Sequence, residues 1–333
     1  MKIAVLGAGA WGLAIADVIA KKDFDIKVWE VDPKVCKKLA AERKFEDRLP
    51  TYVIPNNIIF TNDLISTVEE SEIIINAVPT QFIRTYFDKI KGIDFRDKIV
   101  VNVAKGIEVS TGKDIRQMFI SEFKTITDDN FVILAGPSFA KEVAVDKTPT
   151  AVVSASKNME AANLIRDVFS SPNFRVYSND DVIGVEVGGS IKNIMAISAG
   201  MIDGLGLGNN TKAALLTRGL SEMVRFGLAV GAKRETFSGL SGIGDLILTC
   251  NSSLSRNWQV GNRLAKGETL EEILNNMTMV AEGVETTRIV NKLAKDQNIE
   301  MPIVSVVYQI LFEGLEPKIG LSGLMTRENK KED

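Results

Sequence analysis

Lys192 stands in the middle of EVGGSIKNIMAISAG (186–200), a stretch of aliphatic and very small residues with helical character. A helix that apolar is normally buried, and a buried ammonium is costly unless it is paired or at work. Its neighbours at helical spacing are Gly188, Gly189, Met195, Ala196 and Ala199, whereas Val187, Ile191, Ile194 and Met201 form a different stripe. Small residues permit close helix packing, and they equally leave room for a ligand beside the ammonium. No acid lies four residues away on either side, so Lys192 is not an ordinary surface ion pair.

Other groups can act with it. In LSGIGDLILTC (240–250), Asp245 precedes an apolar run. It fits a helix N-cap, or a carboxylate brought beside Lys192 to set its proton affinity. Lys105, after KIVVNVA, is either a solvated loop lysine or a cation that polarises a substrate oxygen. Gly136-Pro137-Ser138-Phe139, after FVILA, fits plain turn chemistry or a place beside the substrate. Ser255-Arg256-Asn257 opens a helix that ends by Gly267. Hydroxyls, a guanidinium and backbone N–H groups at a helix start make a phosphate cradle; an N-cap with an exposed arginine is the alternative. The 333 residues include no histidine, which excludes histidine-based zinc sites. Any general acid or base must then be lysine, carboxylate, tyrosine or cysteine.

These groups need a scaffold. KIAVLG, DIKVWE, EIIINAV, KIVVNVA and FVILAG are short apolar runs with helix-length segments between most of them, the pattern of a parallel sheet covered on both faces. TAVVSAS and FRVYS flank a further helix, MEAANLIRDVF. From about residue 180 the strand-like runs stop, and helical stretches follow at 182–202, 210–231, 255–266, 286–297 and 303–313. The pattern predicts an α/β Rossmann-type domain with a mostly parallel, doubly wound sheet over residues 1–178. It also predicts an all-α domain over 179–333. Only the tail TRENKKED is polar enough to fray.

Gly7-Ala8-Gly9-Ala10-Trp11-Gly12 supplies G-x-G-x-x-G between the first strand and the helix WGLAIADVIAKK. In that setting Gly7, Gly9 and Gly12 allow a tight turn and close approach of a pyrophosphate to the helix N-terminus; alone, the pattern is a glycine-rich turn. The second strand ends in Glu30-Val31-Asp32, with no arginine or histidine at 30–33. A carboxylate there accepts ribose hydroxyls and repels a 2′-phosphate, which favours NAD over NADP. The alternative is that Glu30 and Asp32 face solvent, with Asp32 capping helix 33–43.

Composition sets the outer limits. The chain is 45% hydrophobic and 25% charged with net charge −3, so it has no broad electrostatic footprint for nucleic acid. The N-terminus reads as a first strand, not a signal peptide, and no stretch is expected to be long and apolar enough to span a bilayer. Cys36 and Cys250, the only cysteines, fit ordinary thiols in a reducing cytoplasm. Together the groups suggest a nicotinamide enzyme acting on a small phosphorylated carbonyl or alcohol.

The chain resembles bacterial-type NAD(P)-dependent glycerol-3-phosphate dehydrogenase almost end to end. The likeness is carried by GAGAWG, VPTQF, AKGIE, GPSFAKEV, FRVYSNDDVIGVEVGGSIKNIMAISAGMIDG, TKAALLTRGL, GLSGIGDLILTC, SRN and VAEGVETT. It implies reduction of dihydroxyacetone phosphate to sn-glycerol 3-phosphate for phospholipid synthesis, and a homodimer. It also implies roles. Lys192 transfers the proton, Lys105 polarises the oxygen, and Asn193, Asp245 and Thr249 orient and tune the pair. Ser255, Arg256 and Asn257 hold the phosphate, with Gly136 and Ser138 near the substrate. Ala10, Trp11, Phe82, Lys105, Ala140, Arg256, Val280 and Glu282 contact the nucleotide. Members of the family that use NADPH usually carry arginine or histidine after the second strand. Glu30-Val31-Asp32 departs from that pattern, so NAD is the expected cofactor and NADP the second possibility. Related β-hydroxyacid and 6-phosphogluconate dehydrogenases lack the GDLILTC and SRN stretches. A redox sensor that binds NAD(H) would have no need of Lys105, Lys192, Asp245 and Arg256 together.

Overall fold

A computed structural model describes residues 1–326. All but the first residue of the polar tail expected to fray lies outside the described residues. Eight strands form one sheet: β1 (Lys2–Leu6), β2 (Asp25–Trp29), β3 (Ile58–Thr61), β4 (Ile73–Asn76), β5 (Ile99–Asn102), β6 (Phe131–Ala135), β7 (Thr150–Ala155) and β8 (Phe174–Asn179). Their order is β3-β2-β1-β4-β5-β6-β7-β8. The first six are parallel; β7 runs antiparallel to β6, and β8 is parallel to β7.

Helices cover both faces, so β4 and β6 are buried at every residue, as their unbroken apolar runs require. On one face lie α1 (Ala10–Ala20), α2 (Pro33–Glu42), α6 (Ala140–Ala144) and α7 (Met159–Phe169). On the other lie α3 (Leu64–Glu69), α4 (Arg84–Ile90) and α5 (Ile115–Glu122). The helical half comprises α8 (Val182–Gly204), α9 (Gly208–Ala229), α10 (Asp245–Cys250), α11 (Arg256–Ala265), α12 (Leu270–Asn275), α13 (Glu282–Asp296), α14 (Pro302–Phe312) and α15 (Pro317–Met325).

The predicted Rossmann-type architecture followed by helices is present. The apolar runs missed β3, a four-residue edge strand too short to show a period, whose Ile59 faces solvent. They also missed α12 and α15, of six and nine residues. One expectation needs correction. By length and composition α8 is apolar enough to cross a membrane, but its apolar window is 94% buried inside the protein. That apolarity serves packing on all sides: Val182 and Val185 enter the core under the sheet, while Ile191 to Ile202 form the centre of the helical core.

The small residues of α8 let other backbone come into contact with it. A Cβ on Gly200 would stand 2.0 Å from the Trp258 carbonyl oxygen, and one on Gly188 would stand 2.5 Å from that of Ser241. On the facing helix, a Cβ on Gly261 would stand 1.8 Å from the Ile197 carbonyl oxygen. Gly261→Ala must therefore separate α8 from α11 and lower stability by about 1–3 kcal/mol or more. Gly323→Ala, at a helical glycine with nothing within 4 Å, should leave stability unchanged or raise it. Paired denaturant midpoints check the contrast.

Candidate active site

The carboxyl ends of β1, β4, β5 and β6 open on one edge of the sheet, where the strand order reverses between β1 and β4. That is where open α/β sheets bind ligands. Lys105 follows β5 there, and Gly136 follows β6. Lys192 comes from the middle of α8 and Asp245 from the first turn of α10.

Asp245 joins the two lysines. Lys192 Nζ donates to Asp245 Oδ1 at 2.5 Å and to Thr249 Oγ1 at 2.6 Å. Lys105 Nζ donates to Asp245 Oδ2 at 2.7 Å and lies 3.3 Å from the Gly136 carbonyl oxygen. Thr249, one turn beyond Asp245, donates to its Oδ1 at 3.2 Å. Asp245 does not cap its helix; Gly244 occupies the N-cap position, and the carboxylate turns inward. Of the two sequence readings of Asp245, the capping one falls. Lys192, Asp245 and Thr249 are buried, whereas the Lys105 side chain keeps 20% of its surface exposed.

Burial and the nearby Lys105 ammonium weaken Lys192's hold on its proton, and Asp245 partly restores it. The balance brings its pKa down to about 7. Burial disfavours the charge on Asp245, yet the two ammonium groups outweigh it and hold the carboxyl below the usual carboxylate range.

The other expected substrate groups gather less tightly. Ser138 Oγ donates to the Gly136 carbonyl oxygen at 3.0 Å, the same atom that Lys105 faces. Ser255 caps α11, accepting from the Trp258 N–H at 3.2 Å, and Arg256 follows as its first residue, half-buried rather than exposed. Asn257 Oδ1 accepts the Gly283 N–H at 2.9 Å and so ties α11 to α13. Asn193 is buried, but its side chain turns back along α8 to the Gly189 carbonyl oxygen at 3.4 Å, not to either lysine.

At the nucleotide end, each glycine of the motif has its own reason. Gly7 adopts φ +103°, and Gly12 lies so close to Gly7 that a Cβ would stand 2.0 Å from the Gly7 carbonyl oxygen. Gly9 caps α1 without a side chain, and the one group near its missing Cβ is Arg48, at 3.8 Å. Ala10, Trp11 and Ala140 pack half-buried at the edge of this cradle, and Phe82 and Val280 are exposed. Glu30 is buried at the end of β2 and accepts the Asp32 N–H at 3.1 Å; Asp32 caps α2 through the Lys34 N–H at 2.8 Å. Glu282, at the start of α13, accepts the Thr80 N–H at 2.9 Å, while its buried Oε2 has no hydrogen-bond partner among the described residues. Burial raises its carboxyl to about 7, against the pull of Thr80 and Arg256. A glycine cradle at a helix start that no side chain caps suits the pyrophosphate of a dinucleotide.

Two family models cover most of the chain. Residues 2–162 match the N-terminus of NAD-dependent glycerol-3-phosphate dehydrogenase, and residues 181–322 match its C-terminus. The chain belongs to that family. Its relatives include the glycerol-3-phosphate dehydrogenase [NAD(P)+] of Chlorobium phaeobacteroides, 44% identical over 100% of this chain and 99% of the relative. The one from Thermoanaerobacter sp. is 46% identical with the same coverage. The glycerol-3-phosphate dehydrogenase of Coxiella burnetii has the same fold at TM-score 0.92 and 36% identity, over 98% of this chain and 99% of that one. The reaction of the family is NAD(P)-dependent interconversion of dihydroxyacetone phosphate and sn-glycerol 3-phosphate, and this chain is such an oxidoreductase.

Two residues join the site without a role in the expectations above: Arg48, and Thr80 beyond the end of β4. Arg48 sits in an irregular loop after α2, where spacing carries no signal, yet it faces Gly9 and adds to the repulsion felt by Arg256. Thr80 was quoted within VPTQF, but its tie to Glu282 spans 202 residues. For the lysine pair, an NMR titration of the Lys192 ε-methylene should have its midpoint at about 7. In Asp245→Asn the midpoint should fall lower still, because the counter-charge that favours the ammonium is gone.

Proposed function

We propose that Lys192 is the proton-transferring group of the family reaction in this chain and that Lys105 polarises the same substrate oxygen. The observation that carries this reading is the single buried carboxylate shared by two ammonium groups, 2.5 and 2.7 Å away. Reduction of a ketone turns its oxygen into an alkoxide, which needs positive charge and a proton. A nicotinamide nucleotide, when bound, supplies the hydride. Lys192, poised near neutrality, gives its proton to the oxygen in reduction and, as the free amine, takes it back in oxidation. Lys105, on the other oxygen of Asp245, faces the same substrate oxygen from a second direction. Asp245 holds both lysines on one side of the site, and Thr249 accepts a Lys192 N–H so that the ammonium keeps one direction.

The substrate phosphate falls to Ser255, Arg256 and Asn257 at the N-terminus of α11, with Gly136 and Ser138 alongside. Asn193, next to Lys192 on α8, keeps the orienting role that the family likeness implies, with its amide bonded along the helix to Gly189. The nucleotide falls to Gly7, Gly9, Ala10, Trp11, Gly12, Phe82, Lys105, Ala140, Arg256, Val280 and Glu282. Arg48 brings further positive charge to the pyrophosphate end. We put the domain boundary at residues 178 and 179, with Lys105 contributed to the site by the first domain and Arg256, Val280 and Glu282 to the nucleotide by the second.

NAD is the preferred cofactor. Glu30 closes β2 with a buried carboxylate and no cation follows it at 31–33, so a 2′-phosphate would meet repulsion there. The family likeness alone supports a cytoplasmic homodimer that supplies sn-glycerol 3-phosphate for glycerophospholipid synthesis.

Oxidation of NADH, followed by absorbance with dihydroxyacetone phosphate, tests the roles. Lys192→Ala should lose ~10²–10⁴ in turnover while binding NADH nearly as before; substantial residual turnover would remove Lys192 as the acid. In parallel assays of the unaltered protein, NADH should be the better cofactor. NADPH binding as tight as NADH would overturn the Glu30 argument, and NADH binding without substrate-dependent oxidation would leave a sensor.

A further inference from the structure

Lys105 reaches the site from a loop rather than from a strand: β5 ends at Asn102, and the chain then runs out across the sheet edge. Its partly exposed ammonium hydrogen-bonds to Asp245 at 2.7 Å and to the Gly136 carbonyl oxygen at 3.3 Å. Asp245 is shared with Lys192, so the place of the Lys105 ammonium depends on where the loop backbone lies.

One side chain holds that backbone at two points. Gln81 Nε2 donates to the Ile107 carbonyl oxygen at 2.8 Å, and Gln81 Oε1 accepts the Val109 N–H at 3.2 Å. The amide thus bridges two alternate residues of the loop as a neighbouring strand would, and its two ends are oriented by an acceptor and a donor. Around it the fit is close. Gly106 has φ +155°, and a Cβ there would stand 2.5 Å from Thr80 Oγ1 and 2.9 Å from Glu282 Oε2. Arg84 grips Glu108, the next loop residue but one, through bonds of 2.7 and 3.1 Å. The turn Thr80–Phe82 that carries Gln81 is itself held from the helical half by Glu282.

We propose that Gln81 is a positioning residue, whose amide holds loop 105–109 so that the Lys105 ammonium is kept against Asp245. Both ends of the amide are committed to loop backbone, so its effect on the reaction passes through Lys105. This inference rests on the role given to Lys105 above.

Gln81→Met keeps the length of the side chain and removes both hydrogen bonds. With the loop released, kcat/KM for dihydroxyacetone phosphate should fall about ten- to a hundred-fold, the size of effect that a small misplacement brings. The Lys192 midpoint in the NMR titration should move to higher pH, because the repelling ammonium has withdrawn and Asp245 is left to Lys192. Wild-type kcat/KM with an unmoved midpoint overturns the proposal, and so does lost activity with an unmoved midpoint, which would mark a role unconnected with Lys105. Should Gln81→Met fail to fold, Gln81→Glu keeps the acceptor for Val109 and loses the donor to Ile107, and the same two readouts apply. Lys105→Met, assayed alongside, separates the two readings. Full activity there removes the role of Lys105 itself, whereas lost activity there with a normal Gln81→Met removes only Gln81.

Discussion

The burial of Asp245 between two ammonium groups is the constraint that the rest of the molecule serves. Taking charges out of water costs several kcal/mol per ion, and the mutual attraction repays this only when geometry is close and remaining donors are used. Here one carboxylate takes Lys192 on one oxygen and Lys105 on the other, with Thr249 bonded to Lys192 and to the carboxylate. The group carries an excess of positive charge. That excess, more than burial of any single residue, suits it to a substrate oxygen that becomes negative during reaction.

Holding three such side chains within hydrogen-bond distance takes elements far apart in sequence. Lys105 and Asp245 are 140 residues apart, and Lys192 and Asp245 are 53 apart. The axis of the arrangement is α8. Its first turns pack under the sheet and its middle forms the helical core, so it fixes Lys192 relative to both halves of the protein. Glycines make this possible: Gly188 admits the backbone of the turn before Asp245, and Gly189 leaves the stem of Lys105 in ordinary contact, with a Cβ there 3.6 Å from Lys105 Cγ. The small-residue face of α8 therefore admits both close-packed backbone and the Lys105 side chain, and the two readings of it are not exclusive.

A second set of contacts links the nucleotide end to the lysines. Glu282, from the helical half, holds the turn at Thr80; that turn carries Gln81, and Gln81 holds the loop of Lys105. Arg256 feels the charges of both Glu282 and Arg48, and Arg48 reaches Gly9 at the start of α1. Like charges placed together in this way are unfavourable until an anion joins them, which is the electrostatic basis of the phosphate role proposed above.

Much of this was legible in one dimension. Strand periodicity, the G-x-G-x-x-G between strand and helix, and a lysine without a partner in an apolar helix are local patterns, because each follows from the chain's own geometry over a few residues. Elements too short for a period, such as β3, were not, and neither was the fate of α8, whose composition suits a membrane as well as a protein core. Sequence also left Asp245 undecided between helix cap and counter-ion, since a carboxylate before an apolar run serves either. The sequence by itself determined the two halves and supplied the lysines; only the tertiary structure decided that they share one carboxylate. Side-chain chemistry is written residue by residue, but the distances that shift a pKa or align a hydrogen bond exist only after packing has brought remote segments together.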